Sequence, residues 1–210
     1  MKWIIALLLV VPLVLSFVPG LPTHGYHLVV LAILPLFFWK YPAQRARLGA
    51  YAGFLVLQAL AYPDPDIGVL GWVLLLPWLW ARERDDGAIW WKAAFLFGFL
   101  RSAAGFYWLG NIHWTAWFGV AVVSGFAFTV CYELLMRRAT FLPYALRGAT
   151  GWVLFEWVHS WIAGGFPWLY LGHTQHEFLP MIQIVAIFGV PGLSFVMAYA
   201  QHAVFRRERR

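Results

Sequence analysis

Ionisable side chains within apolar runs are the first candidates for chemistry in this sequence. Arg101 and Glu156 each stand inside a long apolar stretch. Counted from the same side, each comes about 12 to 14 residues into its stretch, which places the two at similar depths in neighbouring helices. The two groups can therefore form an ion pair inside a membrane, where an unpaired charge is costly. A purely structural role, or an Arg101 side chain that extends outward to water, is the alternative.

The single cysteine, Cys131, is the one candidate nucleophile of its type and excludes a disulfide framework. A catalytic cysteine needs positive charge beside its thiolate and a general base, and an apolar site disfavours the thiolate. Cys131 falls inside an apolar run that ends near Arg137. We therefore expect Cys131 to be a small packing residue, and we expect no catalytic residue in this chain.

Three side chains have the spacing of metal ligands if they are helical, namely His173, His176 and Glu177. Nothing else in the sequence completes a defined ligand set. Hydrogen bonding at a membrane interface is the simpler prediction for these side chains. We expect neither a metal nor another cofactor.

A turn is predicted between two apolar runs, in the sequence GGFPWLYLGHTQ at residues 164–175. Pro167 has no N–H and disfavours a helical residue before it, so the preceding helix should end near Phe166. Gly164 and Gly165 permit backbone conformations that are closed to other residues. Four aromatic side chains would lie at headgroup depth, where amphipathic rings prefer to be: Trp161, Phe166, Trp168 and Tyr170. An aromatic belt with a turn is the simplest physical explanation.

The composition requires a membrane setting for these side chains. Of 210 residues, 62% are hydrophobic and only 11% are charged, which is unlike a water-soluble domain. A spanning helix needs about 20 mostly apolar residues, and such runs recur along the chain. The sequence predicts an all-α, polytopic helix bundle with about eight transmembrane helices, at residues 3–18, 26–40, 47–62, 67–81, 88–109, 115–136, 141–163 and 179–205.

The positive charges predict the orientation of this bundle. All 15 basic residues except Arg101 fall in alternate connections, and the intervening connections carry Asp64, Asp66, Glu177 and several histidines. Because Lys and Arg near helix ends are retained in the cytoplasm, both termini are predicted to be cytoplasmic and residues 164–175 to face outward. We expect a multi-pass protein of a bacterial inner membrane. The net charge of +6 follows from this sorting and gives no reason to expect nucleic-acid binding.

One set of residues runs through and beyond the Phe-Pro-Trp turn: Glu156, Trp161, Gly165, Phe166, Pro167, Trp168, Gly172, Gln175 and Gln183, followed by GVPGLSF at 189–195. This set resembles the membrane domain of the bacterial apolipoprotein N-acyltransferase family. FGFLRSAAGFYWLGNI, residues 97–112, is similar to one of the family's core helices. The resemblance implies a family domain over residues 48–210, preceded by two additional transmembrane helices in residues 1–47.

Members of this family transfer an acyl chain from a phospholipid to the amino group of a lipoprotein's diacylglyceryl-cysteine. The resemblance implies ping-pong chemistry through a cysteine thioester, with a Glu-Lys-Cys triad in a periplasmic nitrilase-like domain. That domain is not among these residues. Cys131, Tyr132 and Glu133 repeat the letters around the family's nucleophile, but the predicted topology leaves no lysine on the outer face. We interpret the match as a coincidence.

Three hypotheses follow for function. In the first, the chain is the membrane component of lipoprotein N-acylation, binds phospholipid and lipoprotein, and needs a separate nitrilase-like chain. The substrate-binding residues would then be Glu156, Trp161, Gly165, Phe166, Pro167, Trp168 and Gln175. In the second, it is a non-catalytic lipid- or lipoprotein-binding scaffold or a truncated relic. A transporter, the third, is disfavoured by the lack of an inverted repeat and by the few charges in the core.

Overall fold

The computed structural model describes residues 45–62, 66–84, 90–161 and 165–207, and the regular structure in these ranges is helical. The α-helices are α1 Arg45–Ala61, α2 Leu76–Glu83, α3 Trp90–Gly105, α4 Leu109–Ile112, α5 Trp114–Arg138, α6 Tyr144–Ser160 and α7 Leu179–Arg207. Two 3₁₀ turns, Gly68–Trp72 and Leu171–Gln175, connect them. The predicted helices at 3–18 and 26–40 lie outside the described residues.

Two of the described helices are long and apolar enough to cross a membrane, α5 over Trp114–Arg138 and α7 over Leu179–Arg206. α7 bends at Gly189, where φ is 68°, just before Pro191, which cannot donate a helical hydrogen bond. The predicted all-helical architecture is confirmed. The number of eight spans and the cytoplasmic placement of both termini stay predictions.

The helix predicted over residues 67–81 is wrong, because the chain there forms the 3₁₀ turn Gly68–Trp72 and then α2. The reason is close packing against the second 3₁₀ turn. A Cβ atom on Gly68 would lie 2.1 Å from the carbonyl oxygen of Thr174, and one on Gly71 would lie 2.1 Å from the Thr174 hydroxyl. The glycines let the two turns touch, and regular helix resumes where Pro77 occupies the first turn of α2.

Aromatic rings connect the helices at the centre of the bundle. Trp78 of α2 stacks on Phe97 of α3, with 4.3 Å between ring centroids, and meets Phe128 of α5 edge-on at 5.3 Å. Phe128 contacts Phe155 of α6 at 5.2 Å. All four side chains are fully buried. Offset and edge-on pairs of this kind stabilise by about 0.5–1.5 kcal/mol beyond the area that they bury.

A buried ionic network holds the arginine-bearing end of the bundle together. Glu133 of α5 accepts hydrogen bonds from Arg82 of α2, at 2.8 Å, and from Arg137 on the next turn of α5, at 2.7 Å. On the same side, the Tyr132 hydroxyl lies 2.7 Å from Nε2 of His202 in α7. The spacing of four residues places Arg137 beside Glu133 on one helix, but Arg82 and His202 reach α5 only through the packing of α2 and α7, which the sequence does not predict.

Candidate functional site

The Phe-Pro-Trp turn is an extended segment that leaves α6 earlier than predicted. α6 ends at Ser160 rather than near Phe166, and the backbone N–H of Phe166 donates to the Ser160 carbonyl at 2.7 Å. Gly165 has φ +117°, a backbone conformation that residues with a side chain rarely adopt. The sequence predicts such a conformation at this glycine. The N–H of Trp168 then donates to the Phe166 carbonyl at 2.8 Å. Gly164 lies outside the described residues.

Leu169 has a strained backbone conformation, which hydrogen bonds from neighbouring side chains hold in place. Its φ is 62°, an uncommon value for a residue other than glycine. The Leu169 carbonyl accepts a hydrogen bond from the Tyr62 hydroxyl, at 2.9 Å, and another from the guanidinium of Arg101. The same hydroxyl reaches the Tyr170 carbonyl at 3.1 Å. Strained residues persist where their surroundings fix them in this way, and they cluster at functional sites.

Glu156 holds the next part of the turn. Its carboxylate oxygen Oε1 accepts hydrogen bonds from the indole N–H of Trp152, at 2.7 Å, and from the backbone N–H of Leu171, at 2.6 Å. The Glu156 side chain is fully buried. It therefore positions the chain that follows Trp168, and it does so from inside the bundle rather than from an open groove.

Arg101 and Glu156 act on the same segment through different backbone atoms. Arg101 binds the Leu169 carbonyl, and its guanidinium lies 5.3 Å from the Trp152 ring centroid and 5.1 Å from that of Phe155. The ion pairs within 4.0 Å among the described residues do not include Arg101 with Glu156. The two charges predicted at similar depth thus meet at one loop, each through its own hydrogen bonds.

Gln175 and Gly172 fix the far end of the loop. The Gln175 amide donates to the Gly68 carbonyl at 2.6 Å and accepts from the Trp72 indole N–H at 3.0 Å. The backbone N–H of Gly172 donates to the Ser194 hydroxyl of α7 at 2.9 Å. Both Gln175 and Gly172 are buried. The amide side chain that the sequence suggested for substrate binding is engaged in holding the two 3₁₀ turns together.

Four rings form a cluster at the turn, which we call the GFPW cluster: Phe106, Trp108, Phe166 and Trp168. Trp108 lies 6.2 Å from Phe166 and 5.9 Å from Trp168 between ring centroids, and Phe106 meets Phe166 edge-on at 5.0 Å. His159 stacks on Phe106, and the two ring planes are 5° apart. The Trp168 side chain is 55% exposed. The cluster thus has one buried face and one open aromatic face.

The remaining predicted site residues lie at the surface, away from the buried face of the GFPW cluster. Trp161 is exposed and packs edge-on against Trp157, with 5.9 Å between ring centroids. Gly165 and Pro167 are also exposed. The seven residues predicted to bind substrate therefore divide into a buried support, two aromatic rings of the GFPW cluster, and an exposed edge.

The two histidines of the turn, which have ligand spacing in the sequence, contact different partners. His173 stacks on Tyr170, with 5.2 Å between ring centroids. Burial lowers the pKa of His173 below the usual value for histidine, and the nearby His176 lowers it further. His176 turns instead toward Asp66, with 3.2 Å between Nε2 and Oδ2. Ligand atoms of Asp66, His176 and Glu177 lie within 4.8 Å of one another. The third member of this group is therefore Asp66 and not His173. The group lies beside a cavity of about 350 Å³, which Asp66 and Glu177 help to line.

Cys131 lies on the π-helical segment Phe128–Leu134 of α5. Its side chain is buried next to Val130, Leu134 and Leu154, at a groove whose one charged lining residue is Arg138. These surroundings are those of a packing residue, which is the role that the sequence predicts.

Several residues that support the turn are not among the predicted site residues, notably Tyr62, Trp152 and Ser194. Trp152 could have been found, because it stands four residues before Glu156 and hence on the same helical face. Tyr62 and Ser194 contact the turn from distant parts of the chain. Ser194 stands within GVPGLSF, but nothing in the sequence indicates that either side chain supports the turn.

Comparison with known proteins places this geometry in a family. The family model described as "Apolipoprotein N-acyltransferase N-terminal domain" matches residues 56–203, which contain every contact of the turn given above. No solved structure matches the chain.

Three curated relatives carry the name apolipoprotein N-acyltransferase. The protein of Geobacter metallireducens is 34% identical over 163 residues, which are 72% of this chain and 31% of the relative. That of Rickettsia typhi is 32% identical over 52% of this chain and 25% of its own length, and that of Haemophilus influenzae is 29% identical over 71% and 30%. The chain thus matches roughly a quarter to a third of the length of these relatives. The chain belongs to the apolipoprotein N-acyltransferase family, and its match lies in the family's N-terminal domain.

Proposed function

We propose that this chain is the membrane component of lipoprotein N-acylation, in which an acyl chain passes from a phospholipid to the diacylglyceryl-cysteine of a lipoprotein. The GFPW cluster binds the lipid portion of the substrate at the outer leaflet of the bacterial inner membrane. A nitrilase-like catalytic domain outside these 210 residues performs the chemistry. The observation that carries the proposal is the half-exposed Trp168 ring on a loop whose backbone is fixed from within the bundle.

Rigidity of the loop supports a positioning role. The three residues after Trp168 are held by Tyr62, Arg101 and Glu156, which come from three separate parts of the chain. Holding one reactant in a fixed geometry is itself a large part of catalysis, because it removes the entropy of finding that geometry. A loop built only as a connection does not need three polar side chains, two of them fully buried, to hold its backbone.

The chemistry of the exposed rings supports a lipid ligand. Tryptophan combines a large apolar body with one polar N–H, which suits the boundary between headgroups and acyl chains. The Trp168 ring is 55% exposed and can therefore meet a lipid at this boundary.

A non-catalytic scaffold is the second candidate. It is favoured by the bonding of Glu156 and Gln175, whose polar groups are used to support the loop rather than left open to a substrate. In that case the chain would hold lipid or lipoprotein without taking part in acyl transfer. The sequence-based prediction of a separate nitrilase-like chain stays a prediction under either candidate.

Photo-crosslinking tests whether the cluster meets the substrate. We expect benzoylphenylalanine in place of Trp168 to capture a diacylated lipoprotein in cells depleted of their own N-acyltransferase. The matched control carries the same group in place of Trp114, which is also exposed but lies outside the GFPW cluster. Capture at position 168 should exceed capture at 114 several-fold.

Equal capture at the two positions would show only a general affinity of exposed apolar surface for lipid. It would remove the GFPW cluster from the proposal. Capture at position 168 that persists after excess diacylated peptide is added would have the same meaning, because a specific site must be saturable.

A further inference from the structure

A second groove lies along α5 and α6, toward the arginine-bearing end of the bundle. Its volume is about 360 Å³, within the range of small-molecule pockets. The lining residues are Val130, Cys131, Leu134, Leu135, Arg138, Ala139, Phe141 and Leu154. With one exception these are apolar or weakly polar, so the groove can accept a hydrocarbon chain. The exception is Arg138.

Arg138 differs from the basic residues around it in having no partner among the described residues. Arg137 is bound to Glu133 at 2.7 Å, and Arg147 donates to the Met136 carbonyl at 2.8 Å. Within the part of the chain that the structure describes, the Arg138 side chain is exposed and makes no hydrogen bond or ion pair with another residue. The acid nearest in sequence, Glu133, is already neutralised by two arginines. Within the described ranges, the rim of the groove therefore carries one uncompensated positive charge.

The walls of the groove are built by an unusual helix geometry. α5 adopts π-helical winding over Phe128–Leu134, which is rare and frequently occurs at functional sites. Val130 and Leu134 of this segment remain exposed at 58% and 37%, and Leu154 of α6 faces the same groove. The irregular winding thus leaves an apolar channel open at the surface of two helices that otherwise pack closely.

We propose that this groove binds one anionic phospholipid, with an acyl chain along Val130, Leu134 and Leu154 and the phosphate on Arg138. A guanidinium pairs with phosphate through two parallel hydrogen bonds, which an ammonium cannot do. Basic pockets between helices on the cytoplasmic side are known to favour anionic headgroups. The predicted orientation puts Arg138 on that side, so this lipid belongs to the inner leaflet. It is distinct from the substrate of the proposed reaction.

Lipid titration of the full chain in detergent, followed by native mass spectrometry, tests the proposal. The probes are phosphatidylglycerol and phosphatidylcholine with identical acyl chains. We expect phosphatidylglycerol to bind about fivefold more tightly to the native protein, and Arg138→Gln to abolish this preference. The matched control is Arg206→Gln, which removes an exposed arginine at the same end but outside the groove. If both variants lose the preference equally, the effect is general charge attraction and the proposal fails.

The single cysteine supplies a second readout that does not depend on mass. Cys131 is 8% exposed and lines the groove, so a lipid bound there should shield the part of its thiol that remains accessible. We expect phosphatidylglycerol to slow N-ethylmaleimide labelling of the native protein several-fold more than phosphatidylcholine does, and to lose this advantage in Arg138→Gln. Leu154→Trp fills the groove and keeps the charge of Arg138, so it should weaken the binding of both lipids. Labelling that is insensitive to lipid, or a lipid-independent dimer that shields Cys131, would assign the groove to something other than phospholipid.

Discussion

Replacing Glu156 by alanine is expected to destabilise the protein by about 4 kcal/mol, because it leaves two buried donors without an acceptor. These donors are the indole N–H of Trp152 and the backbone N–H of Leu171, at 2.7 and 2.6 Å from the carboxylate. For a chain of this size the change lowers the apparent melting temperature in detergent by roughly 8 to 16 °C. Thermal unfolding followed by tryptophan fluorescence measures it.

Two variants separate this effect from a general sensitivity to lost acidic groups. Glu156→Gln keeps a side-chain oxygen that can accept both hydrogen bonds, so it should recover more than half of the lost stability. Glu177→Ala removes an exposed carboxylate and should change stability by less than about 0.5 kcal/mol. A Glu156→Ala protein as stable as the native chain would mean that the carboxylate does not hold the loop.

The second large effect is expected for Gly68→Ala. The new Cβ would lie 2.1 Å from the carbonyl oxygen of Thr174, which is backbone and cannot rotate away. The two 3₁₀ turns would have to separate, which breaks the hydrogen bond from the Gln175 amide to the Gly68 carbonyl. Overpacking of this kind costs about 3 kcal/mol. We expect a corresponding loss of thermal stability and faster proteolysis within Leu171–Gln175.

Gly119→Ala is the matched control for this substitution. Gly119 lies in α5, and a Cβ there meets nothing within 4 Å. Alanine favours helix over glycine by up to about 1 kcal/mol, so this variant should be as stable as the native protein or slightly more stable. If Gly68→Ala behaves like Gly119→Ala, the two turns are not in the close contact described.

Much of the fold could be predicted from the sequence because apolar length alone specifies helices in a membrane setting. The predicted run at 88–109 contains α3, and the runs at 115–136 and 179–205 match α5 and α7 to within two residues at each end. The prediction of a helix over 67–81 was wrong because the glycines of this run pack against Thr174, which is more than a hundred residues away in the sequence. Hydropathy measures how apolar a segment is, and it carries no information about which segment packs against it.

The candidate site was predictable to a similar extent. Glu156 stands out as a charge in an apolar run, and the turn is marked by Gly165 and Pro167. The function of Glu156 as a backbone acceptor could not be predicted, because its partner Leu171 is apolar and is recognised only through its main-chain N–H. Tyr62 was missed for the same reason: its hydroxyl binds carbonyl groups, and these are common to all residues.

The amino-terminal lipopeptide of a lipoprotein, weighed by mass spectrometry, tests the central claim most directly. In cells depleted of their own N-acyltransferase, this chain expressed with a nitrilase-like catalytic domain should convert the diacylated peptide to the triacylated one. Trp168→Ala should reduce that conversion while leaving the chain folded and in the membrane. Peptide that stays diacylated when both parts are present would contradict the account, and so would triacylation by this chain without a nitrilase-like domain.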